Sequence, residues 1–223
     1  MARLCPRIGD GVMSVRDVVQ AAAGVGGAGD LAAAIDFDGT NDYLSRSSDL
    51  TGNANSKTFT FSCWIYPGSG AGSDVIYASS TSYFDHNNSE GVDVVLRNTS
   101  NVTVLLASLP SGSVPVATFS NLLISVDLSN TSNRYVYVND VNITSGVSWS
   151  TYTNQEIDWT DTPHQIGAEG GGNKLIGRLS NVFLDYTYRD LSVTNNRRLF
   201  ITEDGKPADG QASVTKYGYT ELA

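Results

Sequence analysis

Lys57-Thr-Phe-Thr-Phe-Ser-Cys-Trp-Ile-Tyr66 sets Phe59, Phe61, Cys63 and Ile65 on one side and Thr60, Ser62, Trp64 and Tyr66 on the other. A period of two held over that length is the signature of a β-strand with one face in a core. Further along, Val92–Leu96 and Val102–Leu106 flank the turn cluster Asn98-Thr-Ser-Asn101. Leu122–Leu128 and Arg134–Val138 flank Ser129-Asn-Thr-Ser-Asn133 in the same way. Each pair reads as a hairpin. In Ile176–Tyr186, Leu179, Asn181, Phe183 and Asp185 alternate with Ser180, Val182, Leu184 and Tyr186. Many short strands joined by turns, with almost no helix, define an all-β sandwich or barrel.

Around this centre the chain of 223 residues divides into three zones. Residues 1–30 read as an anchoring arm. Ser14 caps a short helix through Ala23 whose apolar stripe is Val15, Val18, Val19 and Ala22, and Gly24–Gly29 forms a flexible linker. So short a helix is unstable alone in water and calls for a partner surface. Residues 31–201 are the β-domain, in which Ser192 is expected to cap a short closing helix, and residues 202–223 are a tail that opens with a turn over Glu203–Pro207 and is otherwise polar.

Charge narrows the range of partners. Fourteen Lys and Arg against 23 Asp and Glu give a net −9, which excludes general nucleic-acid binding through phosphate neutralisation. Arg3, Arg7 and Arg16 balance Asp10, Asp17 and Asp30 in the arm, so the acidity belongs to the sandwich. No stretch has the roughly 18 apolar residues of a membrane span. The N-terminus lacks the apolar core of a secretory signal. Cys5 and Cys63 read as free thiols.

Ala34-Ile-Asp-Phe-Asp-Gly-Thr-Asn-Asp-Tyr-Leu44 resembles the opening strand pair of laminin-G-like and pentraxin-like jelly rolls in the concanavalin A-like lectin/glucanase superfamily. Phe59–Pro67, Leu123–Asn139, Ile166-Gly167 and Ile176–Tyr186 are similar to successive strands of that family, in the same order. The likeness covers about residues 31–200 and departs at Ala117–Leu123, which lacks the family's usual Trp-His pair. It implies a two-sheet antiparallel jelly-roll sandwich, here with an extended or short-helical N-terminal arm, a short C-terminal helix and a tail. A second stretch, Thr194–Pro207, resembles the tail that follows such jelly rolls in structural proteins of tailed bacteriophages.

Three sets of side chains bear on chemistry. Glu156-Ile-Asp-Trp-Thr-Asp161 resembles the carboxylate strand of retaining β-glucanases in the same superfamily. Retention needs carboxylates about 5–5.5 Å apart on one strand face, whereas this stretch lies between turn residues and Pro163 and ends in Asp rather than Glu. Solvated carboxylates are the better reading, so no enzyme is expected. Asp36, Asp38, Asn41 and Asp42 are the calcium candidates, oxygen ligands around the first turn, as is the Asp85–Glu90 loop. The same residues serve equally as turn formers. His86 and His164 have no zinc-like spacing, and Gly167–Gly172 is a strand–turn–strand rather than a phosphate cradle. Trp149, Tyr152 and Trp159, with Trp64, are the glycan-contact candidates, because aromatic faces stack on sugars.

The expected function is that of a non-enzymatic phage virion protein, a capsid decoration or cement protein or a tail-associated module. It would be made in the host cytoplasm and carried on the particle, with no cofactor required. Arg3, Leu4, Cys5, Ile8, Val15, Val18 and Val19 would dock it to a major capsid or tail protein or to further copies of itself. The alternative is a carbohydrate-binding adhesin that recognises host surface glycans.

Overall fold

The alternation in Lys57–Tyr66 is realised in β3 (Thr58–Pro67) of the computed structural model, which describes residues 34–49, 54–68 and 72–208. Phe59, Phe61, Cys63 and Ile65 are buried in the main core, while Thr60, Ser62, Trp64 and Tyr66 face outward. Before it come β1 (Ile35–Asp38) and β2 (Leu44–Arg46). After it run β4 (Asp74–Ala78), β5 (Tyr83–His86), β6 (Val92–Arg97), β7 (Thr103–Ser108), β8 (Ser120–Asp127), β9 (Arg134–Val138) and β10 (Val141–Asn142). The chain continues through β11 (Ser148–Tyr152), β12 (His164–Ile166), β13 (Ile176–Asp185) and the helical turn α1 (Thr194–Arg197).

These strands form two antiparallel sheets. The six-stranded sheet has the order β1-β13-β3-β8-β9-β10, and the seven-stranded sheet the order β11-β7-β6-β5-β4-β12-β2. Both expected hairpins are present, as β6–β7 and β8–β9. The opening strands β1 and β2 join different sheets, so the Asp38–Tyr43 turn crosses from one layer to the other. Between the layers, Phe59 packs edge-on against Phe84 at 5.9 Å, and Phe61 stacks on Phe84 at 4.3 Å. Burial of such side chains contributes about 1.5–3 kcal/mol each, the main stabilising term of the sandwich.

Two expectations from the sequence need correction. Strand β13 does not alternate throughout: Asn181 has a φ of 50° and the register shifts between Ser180 and Phe183. This bulge puts Leu179 and Val182 in the core and turns Phe183 outward. Ser192 does not cap α1, because both its N–H and its hydroxyl bond Asp190 Oδ1, and Val193 occupies the N-cap position. The turn expected over Glu203–Pro207 is present. Thr202 and Lys206 close a turn, Ile201 bridges Pro207, and the Ala208 N–H bonds the Phe200 carbonyl.

This closing segment covers much of the outer face of the six-stranded sheet. Leu191, Leu199 and Phe200 form a second apolar cluster with Leu123 and Tyr137. Arg197 lies over the Tyr137 ring at 4.7 Å and pairs with Asp140 at 2.6 Å, and Arg198 reaches the same carboxylate at 2.8 Å. The stretch that resembles phage tails is therefore structural here. Arg3, Leu4, Cys5, Ile8, Val15, Val18 and Val19 of the arm lie outside the described residues.

Candidate functional site

With one outer face clasped by the closing segment, the other is formed by the seven-stranded sheet. Its strand register builds two ranks of side chains. One runs Val75, Asp85, Asp93 and Ser108 across β4, β5, β6 and β7. The second runs Gln165, Ala78, Tyr83, Val95 and Leu106 across β12, β4, β5, β6 and β7. The alternate residues Phe84, Val94 and Ala107 point the other way, into the core. A period of two therefore places a phenol ring beside two carboxylates on one surface.

The polar members are held from the rim. Ser73 donates its hydroxyl to Asp85 Oδ2 at 2.6 Å, and Asn87 Nδ2 donates to Asp93 Oδ2 at 3.0 Å. The Gly170 N–H donates to Gln165 Oε1 at 2.7 Å, which lays the Glu169–Gly172 turn along the edge of the face. Asp85 is only 7% exposed. Its Oδ1 is buried and meets no donor among the described residues. A buried acceptor left without a donor carries its full desolvation cost.

Electrostatics confirm the crowding. Burial pushes the Asp85 carboxyl up to about 6, the Ser73 bond opposes this, and the charges of Asp93, Asp74 and Glu169 add to it. The Tyr83 phenol is also raised, by burial and then by Glu169, Asp85 and Asp93, with Arg97 opposing. Such a surface sets one aromatic ring beside two carboxylates, a pairing that suits a ligand rich in hydroxyl donors.

The residues singled out in the sequence do not come together. Trp159, 1% exposed, is a core residue packed against Phe59 at 5.6 Å. It cannot present its ring to a sugar, and neither can the buried Trp64. Trp149 and Tyr152 do meet, edge to face at 5.9 Å, with Arg134 stacked over both. Their strand partners Ala107 and Leu105 belong to the core, so the pair closes the sandwich edge instead of joining the two ranks on the outer face. The Tyr152 hydroxyl is spent on the Asp127 carbonyl at 2.8 Å.

Two of the four first-turn oxygen groups, Asp36 and Asp38, already have partners within the chain. Asp36 pairs with Arg178 at 3.7 Å, and Asp38 Oδ1 accepts the N–H groups of Thr40 and Asn41. Asn41 and Asp42 follow in the same turn. Among the described residues no three His, Cys, Asp or Glu side chains converge as a metal site would require. His86 and His164 are both buried, bonded to the Val114 carbonyl and the Tyr77 hydroxyl. In Glu156–Asp161, Ile157 and Trp159 point inward, Asp158 bonds Thr160, and Asp161 accepts from Ser79 and Thr81.

Residues 38–184 match the Concanavalin A-like lectin/glucanases superfamily, and the chain belongs to that family. Among solved structures it is similar to the heptameric SAP-like pentraxin of Limulus polyphemus, with 13% identity and a TM-score of 0.53 over 74% of this chain and 80% of that one. The binding domain of botulinum neurotoxin serotype G matches at 8% identity and a TM-score of 0.50, over 71% of this chain and 40% of that one. A carbohydrate-binding module of a Ruminococcus gnavus sialidase, bound to α2,3-sialyllactose, matches at 13% identity and 0.46, over 70% and 93%. No curated protein matches the sequence. At these identities the likeness is one of fold.

Proposed function

We propose that this protein is a non-catalytic carbohydrate-binding module that takes its glycan on the outer face of the seven-stranded sheet. Membership of a lectin and glucanase superfamily supports the ligand class. The observation that carries the reading is the juxtaposition of Tyr83 with Asp85 and Asp93 on that face. A sugar ring offers an apolar face to the phenol and hydroxyl donors to the carboxylates. Catalysis has no support in Glu156–Asp161, whose residues are divided between the core, a local turn and the loop after β4. The virion placement expected from the sequence is compatible with glycan binding, and no contact among the described residues favours it.

A glycan array tests the proposal, using the full chain and its Tyr83→Ala variant with melting temperatures as a folding control. Retention of at least one oligosaccharide by the parent, and loss of about tenfold or more in affinity by the variant, is expected. Equal retention by both overturns the assignment of the face.

A further inference from the structure

We propose that His164 is a pH-sensitive latch on the β12–β2 edge of the seven-stranded sheet. Uncharged, it ties β12 to β4 through Tyr77; charged, it releases Tyr77 and loosens that edge. The proposal stands apart from the glycan reading. The imidazole is 2% exposed and lies between two oxygen groups. Nδ1 is 2.9 Å from the Tyr77 hydroxyl, and Nε2 is 3.5 Å from Asp49 Oδ1. A carboxylate can only accept, so the ring proton belongs on Nε2, and Nδ1 accepts the Tyr77 O–H. Protonation puts a second N–H where that bond stood. The Tyr77 phenol is itself buried, so its hydrogen has no water to turn to when the ring stops accepting it.

The edge is thinly attached where the latch acts. β12 meets β4 at two residue pairs, Gln165–Ala78 and Ile166–Tyr77, and the outermost strand β2 rests on β12. The charges around the ring decide which way it moves. Arg46, its cross-strand partner, repels an imidazolium. Asp161 attracts it, but Asp161 Oδ2 already holds Ser79 and Thr81. Asp49, which is exposed, draws it toward the open edge. Tyr186, which acts on Tyr77, has its own phenol raised by burial and stays uncharged throughout this range. Burial holds the imidazole below its usual 6.5 against the pull of Asp49, with Arg46 adding to the shift and Asp161 opposing it. The tie is therefore full above about pH 6.5 and is lost as pH falls through the lower folded value. Release carries Gln165 with it, and Gln165 Oε1 holds the Gly170 N–H, so the Glu169–Gly172 turn loosens with the edge.

Amide exchange of the full chain at about pH 7.5 and about pH 5.5, corrected for intrinsic rates, tests the latch together with an NMR titration of the His164 ring. Peptides covering Leu44–Arg46 and His164–Ile166 are expected to lose about fivefold or more of their protection at the lower pH, while β5 and β6 keep or gain theirs. The ring should titrate below about 6.5. His164→Gln, uncharged at either pH, should remove the response. If that variant does not fold, Tyr77→Phe serves in its place, since it deletes the phenol donor and keeps the imidazole. Its edge protection at the higher pH should already match the parent's at the lower pH, and its imidazole should titrate higher than the parent's. Unchanged edge protection in the parent overturns the proposal. So does an equal loss in His164→Gln, a Tyr77→Phe edge that responds as the parent does, or a parent ring that titrates at or above about 6.5.

Discussion

Asp85 on β5 and Asp93 on β6 stand opposite each other on the outer face of the seven-stranded sheet, each held by one rim donor, Ser73 and Asn87. Two carboxylates this close, one of them almost fully buried, burden the fold. A site that binds donors through them accepts that burden, since the groups that recognise the ligand repel each other without it.

The burden is measurable as a pH effect. Burial, then Asp93, Asp74 and Glu169, raise Asp85 from 3.8 to about 6 in spite of the Ser73 bond. The folded protein thus holds this proton more tightly than the unfolded chain. The stability Asp85 contributes is full below about pH 4 and lost as pH rises through about 6. Asp85→Asn should therefore stabilise the protein at about pH 8, by about 1–3 kcal/mol in denaturant unfolding, with the gain vanishing near pH 4. An equal effect at both pH values would contradict the assignment.

The two sequence-nominated tryptophans should part company under substitution. Trp159 fills the core against Phe59 and Tyr186, so Trp159→Ala should cost about 3–5 kcal/mol in urea unfolding. Trp149, half-buried under Arg134 at the sandwich edge, should cost about 1–2 kcal/mol, chiefly its stacking and partial burial. Neither change should alter glycan retention by protein that remains folded.

Removing Arg197 should release the clasp over the six-stranded sheet. Burial raises the Asp140 carboxyl, but its bonds to Arg197 and Arg198 outweigh this and hold it below the usual range. Its contribution is therefore present above about pH 4 and lost as pH falls further. Arg197→Ala should speed amide exchange in the segment from Leu191 to Ala208 while leaving β5 and β6 protected. Uniform acceleration across both sheets would show that the clasp is not a separate unit.

Much of the architecture was legible because the strands obey simple alternation. Phe59, Phe61, Cys63 and Ile65 point inward as their period of two requires, and both Asn-rich turns close hairpins. Alternation failed in β13, where Asn181 in the left-handed region inserts a bulge that no apolar pattern announces. The proposed ligand face was hidden for a different reason. Tyr83 and Asp85 sit in one short strand and Asp93 in the next, and only the β5–β6 register joins them. A usable signal existed: Tyr-x-Asp in Tyr83–Asp85 and Asp-x-Val in Asp93–Val95 put polar groups at the outward positions of otherwise apolar strands. Trp159 misled because its flanking Asp158, Thr160 and Asp161 look like a solvated loop, while the backbone there turns Ile157 and Trp159 into the core.

The central claim is that the outer face of the seven-stranded sheet is the ligand surface. Amide chemical-shift mapping during titration with an oligosaccharide retained on the glycan array tests it most directly. Perturbations are expected to centre on Tyr83, Asp85, Asp93, Ser108 and Gln165. Shifts confined to the Trp149–Tyr152 edge or to the face bearing Tyr66 and Arg178, or no shifts at all, would contradict it.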